Sequence, residues 1–545
     1  MKKSSLQLQS HCLLFMTIAC ISTSSFATVK RSFCPNMKKE GVISLDFQPA
    51  FLHVDEYEIE DQLFPVVLNP SLTISSFFNA YPNRDFPNSG LPFTYLERDL
   101  VARLPNLGFK KPGQINSSDI EILTDQHLPL GGGDGTFLAA NTIWPNDTRR
   151  VPRDVFNFEA LVIPQGFHTA LKPGRLSIVD LTNRDFSGNY PEYVVHQSGT
   201  SAENPAKFYH HVEFVDMNGD GRKDMLTSRS GFRVGGNFTP PSGDLVWFEQ
   251  PENYDGTQSW TEHRIYQMPF PGTGPDIDFK AADLNGDGIV EIVATHFFTG
   301  TPGPNGEPPE NGKIEIYGVP DGFTSWSGVG FEPGNRPPKI HTVVDDQGLP
   351  FSVYITDLNR DGKKDILATN HQAVESFSAT PGRVLAIEQP ADSKLFESKW
   401  QTHVLLDGIR PYPNVPGRRP PGRLAPGTAE AFYPSAFARN RKPWILVSGD
   451  EAGKVWVLKP NSQRRSNWQY DSAIVFDIND TFGEGTSQTP NDKGVTISTI
   501  GKTAVRYNYW RGGAAELYIP VFEASEIHVL SMYARRRDRI DCVQP

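Results

Sequence analysis

The sequence predicts an all-β chain folded as a β-propeller of seven four-stranded blades. Three observations predict it: a strand that recurs every 69 to 71 residues, further strands in register with it, and an acidic loop that returns three times at the same spacing. The recurring strand is a glycine followed by apolar alternation. It reads Gly174-Arg-Leu-Ser-Ile-Val, Gly243-Asp-Leu-Val-Trp-Phe, Gly312-Lys-Ile-Glu-Ile-Tyr, Gly382-Arg-Val-Leu-Ala-Ile and Gly453-Lys-Val-Trp-Val-Leu, at offsets of 69, 69, 70 and 71 residues. One more step reaches Ser525-Glu-Ile-His-Val-Leu, which keeps the alternation without the glycine. A period of two is that of an extended chain with one face turned to a core.

Three other strands accompany it. A Trp-x-x-His-x-Ile segment follows at Trp260 to Ile265 and again, with Leu405 last, at Trp400 to Leu405, and Tyr190 to Val195 is a looser copy. Before the glycine stand Asp224-Met-Leu-Thr-Ser, Glu291-Ile-Val-Ala-Thr, Asp365-Ile-Leu-Ala-Thr and Trp444-Ile-Leu-Val-Ser. Earlier still, His211 to Val215 and Phe279 to Ala282 run into the acidic loops. Four short strands per repeat, separated by turn residues, describe a propeller blade. The repeats are clear from about 155 to 540, and strand-like runs at Phe64 to Leu68 and Ile120 to Leu123 supply material for a seventh. Because the last repeat stops soon after its glycine-position strand, its outer strands are expected from the amino-terminal region. A row of β-sandwiches is the alternative, but a ring hides sheet edges that an open array exposes.

Residues 1–27 have the layout of a secretory signal: Lys2 and Lys3, an apolar run from Cys12 to Ile21, then Ser25-Phe26-Ala27. No later stretch approaches the roughly 20 apolar residues of a spanning helix. Residues 28–545 are then read as a single secreted propeller domain. Cys12 and Cys20 fall inside the signal, which leaves Cys34 and Cys542, one near each end of the mature chain; in an oxidising compartment they most simply pair, with two free thiols as the alternative. The 47 Gly and 45 Pro argue for turns over long helices, and a net charge of −11 makes nucleic acid an unsuitable partner and divalent cations suitable ones.

The sharpest motif is Asp-x-Asn-x-Asp-Gly-x-x-Asp/Glu. It occurs as Asp216, Asn218, Asp220, Gly221 and Asp224; as Asp283, Asn285, Asp287, Gly288 and Glu291; and as Asp357, Asn359, Asp361, Gly362 and Asp365. Calcium takes six to eight oxygen ligands, which a tight loop provides from alternate side chains and one backbone carbonyl, here that of Arg222, Ile289 or Lys363. An EF-hand requires a glutamate at position 12, where this chain has Thr227, Ala294 and Ala368. The expectation is three structural calcium sites in loops that join strands.

These loops, together with Leu-Val-Trp-Phe-Glu-Gln-Pro and the Trp-x-x-His-x-Ile pattern, resemble those of the VCBS and FG-GAP repeat propellers, the group that includes the integrin α-subunit head. The resemblance implies calcium on these three loops and none near Ala438 or Tyr507, where the carboxylates are missing. The Phe-Gly and Gly-Ala-Pro signatures of integrin-type repeats are absent, which favours the broader VCBS type. A ligand is expected at the central face, where Gln165, Arg229, His296, Asn370, His371 and Asp450 end successive strands. Such a ring suits a carbohydrate or another polar ligand, and an extracellular recognition module is the leading reading. The same ring would serve a carbohydrate lyase or dehydratase through His296, His371, His210 or His211. Adhesion to an extracellular protein is the third reading, carried by loops at Gly300 to Gly312 and Gly408 to Pro434 with Tyr412, Phe432 and Tyr433. Asn116, Asn146, Asn237 and Asn479 lie in Asn-x-Ser/Thr sequons.

Overall fold

In each repeat the glycine-position strand is the third strand of a four-stranded antiparallel sheet. The computed structural model describes residues 33–55, 70–76, 80–82, 93–95, 99–108, 110–126, 145–166, 174–184, 189–199, 207–231, 243–267, 278–297, 312–373, 381–392, 394–412, 424–483, 486 and 497–532. Seven such sheets form the ring. Blade I comprises Phe51–Asp55, Ser71–Ser76, Asp99–Leu104 and Glu121–Gln126, and blade II comprises Arg149–Arg150, Ala160–Pro164, Arg175–Asp180 and Glu192–Gln197. Blade III runs Lys207–Val215, Asp224–Gly231, Gly243–Glu249 and Thr261–Gln267; blade IV runs Phe279–Ala282, Glu291–His296, Lys313–Gly318 and Lys339–Val344. Blade V is Pro350–Thr356, Asp365–Asn370, Gly382–Glu388 and Gln401–Ile409, and blade VI is Ala429–Phe432, Trp444–Ser448, Lys454–Pro460 and Tyr470–Asp477.

Blade VII closes the circle. Its first three strands, Ala504–Asn508, Ala514–Val521 and Glu526–Ser531, come from the end of the chain, and Lys38–Ser44 pairs antiparallel with the third. The amino-terminal region therefore lends one outer strand to this blade rather than several, and also builds all of blade I. Of the other early runs, Ile120 to Leu123 enters the fourth strand of blade I, while Phe64 to Leu68 lies outside the described residues.

Burial explains why the repeat was readable. Second strands such as Glu291–His296 and Asp365–Asn370 are buried at every position because neighbouring blades cover both faces, whereas the fourth strand Lys339–Val344 alternates between partly buried and exposed. Seven apolar clusters fill the seven seams between adjacent blades, from Leu72, Ile74 and Ile527 between VII and I to Val101, Leu161 and Ile163 between I and II. The recurring glycine has a steric cause. A Cβ on Gly174 would lie 2.1 Å from the Lys207 carbonyl oxygen, and one on Gly382 would lie 2.6 Å from that of Ala425, so the next blade's chain passes where a side chain would stand. Among the described residues no helix is long and apolar enough to cross a membrane.

Candidate functional site: acidic loops and a charged central cavity

The three acidic motifs occupy the same position, between the first and second strands of blades III, IV and V, and share one backbone path. The first aspartate of each folds the loop over itself. Asp216 accepts from the N–H of Gly219 at 2.7 Å and of Gly221 at 2.9 Å; Asp283 does so from Gly286 and Gly288 at 2.6 and 3.0 Å; Asp357 does so from Arg360 and Gly362 at 2.6 and 3.0 Å. The sixth residue is a glycine at φ +87°, +86° and +94°, a left-handed conformation costly for other residues. Burial, with two nearby carboxylates adding to it, pushes Asp224 up to about 6, Glu291 to about 7 and Asp365 to about 7. Every side chain offered is a hard oxygen donor, which is the chemistry calcium takes. In this conformation backbone N–H groups hold the carboxylates, and no three His, Cys, Asp or Glu among the described residues are gathered closely enough to hold a metal ion.

The ring residues end second strands at the opposite end of the blades and are largely satisfied there. Gln165 is fully buried and donates to Ser177 Oγ at 2.9 Å. Arg229 pairs with Asp244 at 3.0 Å and with both oxygens of Glu262 at 2.9 and 2.5 Å. His296 Nε2 lies 3.0 Å from Glu315 and from the Tyr317 hydroxyl, inside blade IV. Asn370 donates to the carbonyls of Gln347 and Pro381 at 2.7 and 3.2 Å. His371 donates through Nδ1 to the Pro426 carbonyl at 2.7 Å and stacks on Phe351, and burial drops its pKa to about 4. His371 and Asp450 approach one another, at 3.7 Å; burial and then Glu523 push Asp450 up to about 7. His296 and His371 thus face different partners. The repeated His263 and His403 are stacked on Trp247 and Trp468.

The open space lies elsewhere, on the axis. The first strands and the residues just before them enclose a cavity of about 220 Å³ lined by Phe51, His53, Asp147, Arg149, His210, Asp278, Lys280, Phe351, Tyr354, Glu430 and Lys502, with contributions from all seven blades. Its cations are neutralised in place. Asp147 binds Arg149 at 2.6 Å, Lys502 at 2.6 Å and His211 at 2.9 Å, while Lys280 meets Glu213 at 3.1 Å and Asp278 at 3.6 Å. Burial works against the charge of Asp147, but Arg149 and Lys502 outweigh it and hold the carboxyl well below its usual range.

Glu430 is different. Its Oε1 is buried without a hydrogen-bond partner, and burial pushes the carboxyl up to about 7 although Lys502 and Arg149 pull the other way. Burial, reinforced by Arg149 and Lys502, drops His53 to about 3, and burial, helped by His211 and Lys502, outweighs Asp278 and Asp147 to drop His210 to about 4. Near neutral pH both imidazoles are uncharged. Of this cavity the sequence reading named only His210, together with its neighbour His211. The signal that would have found the others is a lone charge inside an apolar strand, as in Phe279-Lys280-Ala-Ala and Ala429-Glu430-Ala-Phe.

Phe432 is 2% exposed and the Tyr412 hydroxyl donates to Asp477 at 2.9 Å, so these two aromatics serve packing, and residues 300–311 and 413–423 lie outside the described residues. Asn146 is buried with its amide donating to the Tyr209 carbonyl at 2.6 Å, which removes its sequon from reach of modification. Cys34 precedes the closing strand, and Cys542 lies outside the described residues.

Seven four-stranded sheets set around a polar cavity define the class: a seven-bladed β-propeller. No family model matches the chain, and no curated protein matches it in sequence. Among solved structures it is similar to a glucose dehydrogenase, at 13% identity and TM-score 0.36 over 72% of this chain and 97% of that one. It is also similar to a PQQ-bound aldose sugar dehydrogenase from Streptomyces coelicolor, at 9% and 0.34 over 71% and 94%, and to an α-L-arabinofuranosidase from Fusarium graminearum, at 9% and 0.35 over 91% and 97%. Likeness at this level says nothing about ligand or chemistry.

Proposed function

We propose that this chain is a secreted, calcium-stabilised propeller of the VCBS type, acting as a recognition module that binds a carbohydrate in its central cavity. One observation carries the ligand class. The cavity's cations are already neutralised by Asp147, Glu213 and Asp278, so an anionic ligand finds no spare positive charge. What remains is the unpartnered Glu430 oxygen, with the neutral imidazoles of His53 and His210 and the rings of Phe51 and Phe351 lining the same cavity, which suits a ligand rich in hydroxyl groups with apolar ring faces. At about 220 Å³ the space is below the roughly 300–1,000 Å³ of drug-sized sites, a fit for one sugar ring.

The test is calorimetric titration with neutral monosaccharides, their uronic acids and their amino sugars. Binding of a neutral sugar that Glu430→Ala weakens at least about tenfold supports the assignment. Binding confined to the uronic acids overturns it. The amino-terminal signal, secretion and a Cys34–Cys542 bridge belong to the same proposal; intact-mass measurement of the exported protein, before and after reduction, reports on all three.

A second reading has its own support. A carboxyl raised to about 7 is poised near neutral pH to take or to give a proton, and His53, held neutral in the same cavity, is available to hydrogen-bond a substrate. That is the equipment of a carbohydrate lyase or dehydratase, now centred on Glu430 and His53 rather than on His296 and His371. Appearance of an unsaturated sugar on incubation, abolished by Glu430→Gln, distinguishes it from binding alone.

A further inference from the structure

The glutamates that end the third strands of blades III and V sit beside the acidic loops. Asn218 Nδ2 donates to Glu249 Oε1 at 3.3 Å, and Glu249 Oε2 meets His263 Nε2 at 3.0 Å. His263 in turn lies stacked on Trp247, with centroids 4.0 Å apart and planes at 16°. Blade V repeats the polar links, Asn359 to Glu388 at 3.2 Å and Glu388 to His403 at 2.9 Å, while the ring stacked on His403, at 4.4 Å and 11°, is Trp468 from the connection between the third and fourth strands of blade VI. In both blades the amide oxygen is left facing the loop, where it accepts the N–H of Asp220 at 3.0 Å or of Asp361 at 2.8 Å.

Blade IV lacks the arrangement and solves the same problem differently. Gly318 ends its third strand, and a Cβ there would lie 2.4 Å from the Phe396 ring, so no side chain can reach the loop from that position. Asn285 is instead held at 2.8 Å by Glu291, the ninth residue of its own motif. In blades III and V that ninth residue is an aspartate whose two oxygens are both taken by backbone N–H groups: Asp224 by Met217 and Gln250 at 2.9 Å each, Asp365 by Leu358 and Gln389 at 3.0 and 3.1 Å. The extra methylene of Glu291 lets one oxygen accept from Leu284 N–H at 2.8 Å while the other holds the asparagine. The alternation of Asp and Glu at position 9 thus has a structural cause.

We propose that Glu249 and Glu388 are positioning residues for calcium, each fixing the amide of the asparagine whose oxygen faces the ion, and that Glu291 combines this task with its own place in the blade IV loop. The inference rests on the calcium reading above. It divides the three loops into two of one kind and one of another. Partners that orient a metal ligand commonly change affinity by about 10–100-fold when removed. A glutamine in place of Glu249 or Glu388 still offers an acceptor to the asparagine and a second polar atom to the histidine. If the role is orientation, glutamine preserves it; if the glutamate acts only through its charge, glutamine loses as much as alanine.

The experiment is calorimetric titration of the full mature chain, stripped of metal with a chelator, using calcium alone. The expected result is three bound ions, one of which weakens about 10–100-fold in Glu249→Ala and another in Glu388→Ala, with the Gln variants within about threefold of the parent. Glu291→Asp, which withdraws the carboxylate from Asn285, weakens the third. Glu249 and Glu388 are 34% and 27% exposed, so these changes do not open the core, and a melt of each variant in chelator verifies folding. Alanine variants with unchanged affinities, or glutamine variants as weak as alanine, overturn the positioning role while leaving calcium binding intact. A parent chain that binds no calcium overturns the calcium reading and the inference with it.

Discussion

Single side chains at the centre carry opposing electrostatic demands, and Glu430 states them most simply. Its carboxyl sits near 7 in the folded chain against an ordinary value of 4.5. Between those values the folded state holds a proton that the unfolded chain has released, so this residue's contribution to stability is present below about pH 4.5 and is lost as pH rises through about 7. His53, His210 and His371, held neutral, act with the opposite sign: each contributes less as pH falls below the ordinary histidine value of 6.5. Comparing variant with parent isolates the carboxyl. Glu430→Gln is expected to stabilise the protein at pH 8 by up to about 3 kcal/mol and to change it little at pH 4.5, read by denaturant unfolding at both values. Equal effects at the two pH values would contradict the buried, unpartnered placement of this group. Gly174 makes a steric demand at the same scale. Gly174→Ala drives a methyl into the Lys207 carbonyl and should cost about 2 kcal/mol or more, measurable as a fall in melting temperature.

Strands carry the closure of the ring. Lys38–Ser44 completes blade VII, and Ile43 from that strand is 1% exposed in the cluster it shares with Leu72, Ile74 and Ile527. Ile43→Ala should therefore cost about 2–4 kcal/mol, as a core deletion does, although the residue lies far from the repeats in sequence. A loss under about 0.5 kcal/mol, typical of a surface position, would mean that this strand does not hold the ring shut. The second and third strands were legible in the sequence because blades on both sides bury them, which writes an unbroken apolar signal. First strands were less legible. They range from two residues in blade II to nine in blade III, and the axis they line tolerates isolated charges such as Lys280 and Glu430 that break the pattern without forming a motif.

The seven-blade architecture was readable from a 69 to 71 residue period and is present as seven sheets with seven filled seams. The charged cavity on the axis was not. Register alone pointed to residues at the ends of second strands, yet side chains such as Arg229 and His296 are spent on Asp244, Glu262 and Glu315 within their own blades. Pairing of this kind depends on which long side chains meet across a sheet, which periodicity does not encode. The acidic loops had the opposite character: their spacing was explicit, whereas their coupling to Glu249, Glu388 and the stacked histidines emerged only from the fold. Calcium stabilisation of the three loops is central to the proposed function. Its most direct measurement is a thermal melt of the mature chain with calcium and with a chelator, repeated after changing Asp220, Asp287 and Asp361 to Ala. Calcium is expected to raise the melting temperature strongly, and the triple substitution to remove that rise; a parent protein that melts at the same temperature in calcium and in chelator would rule out calcium stabilisation.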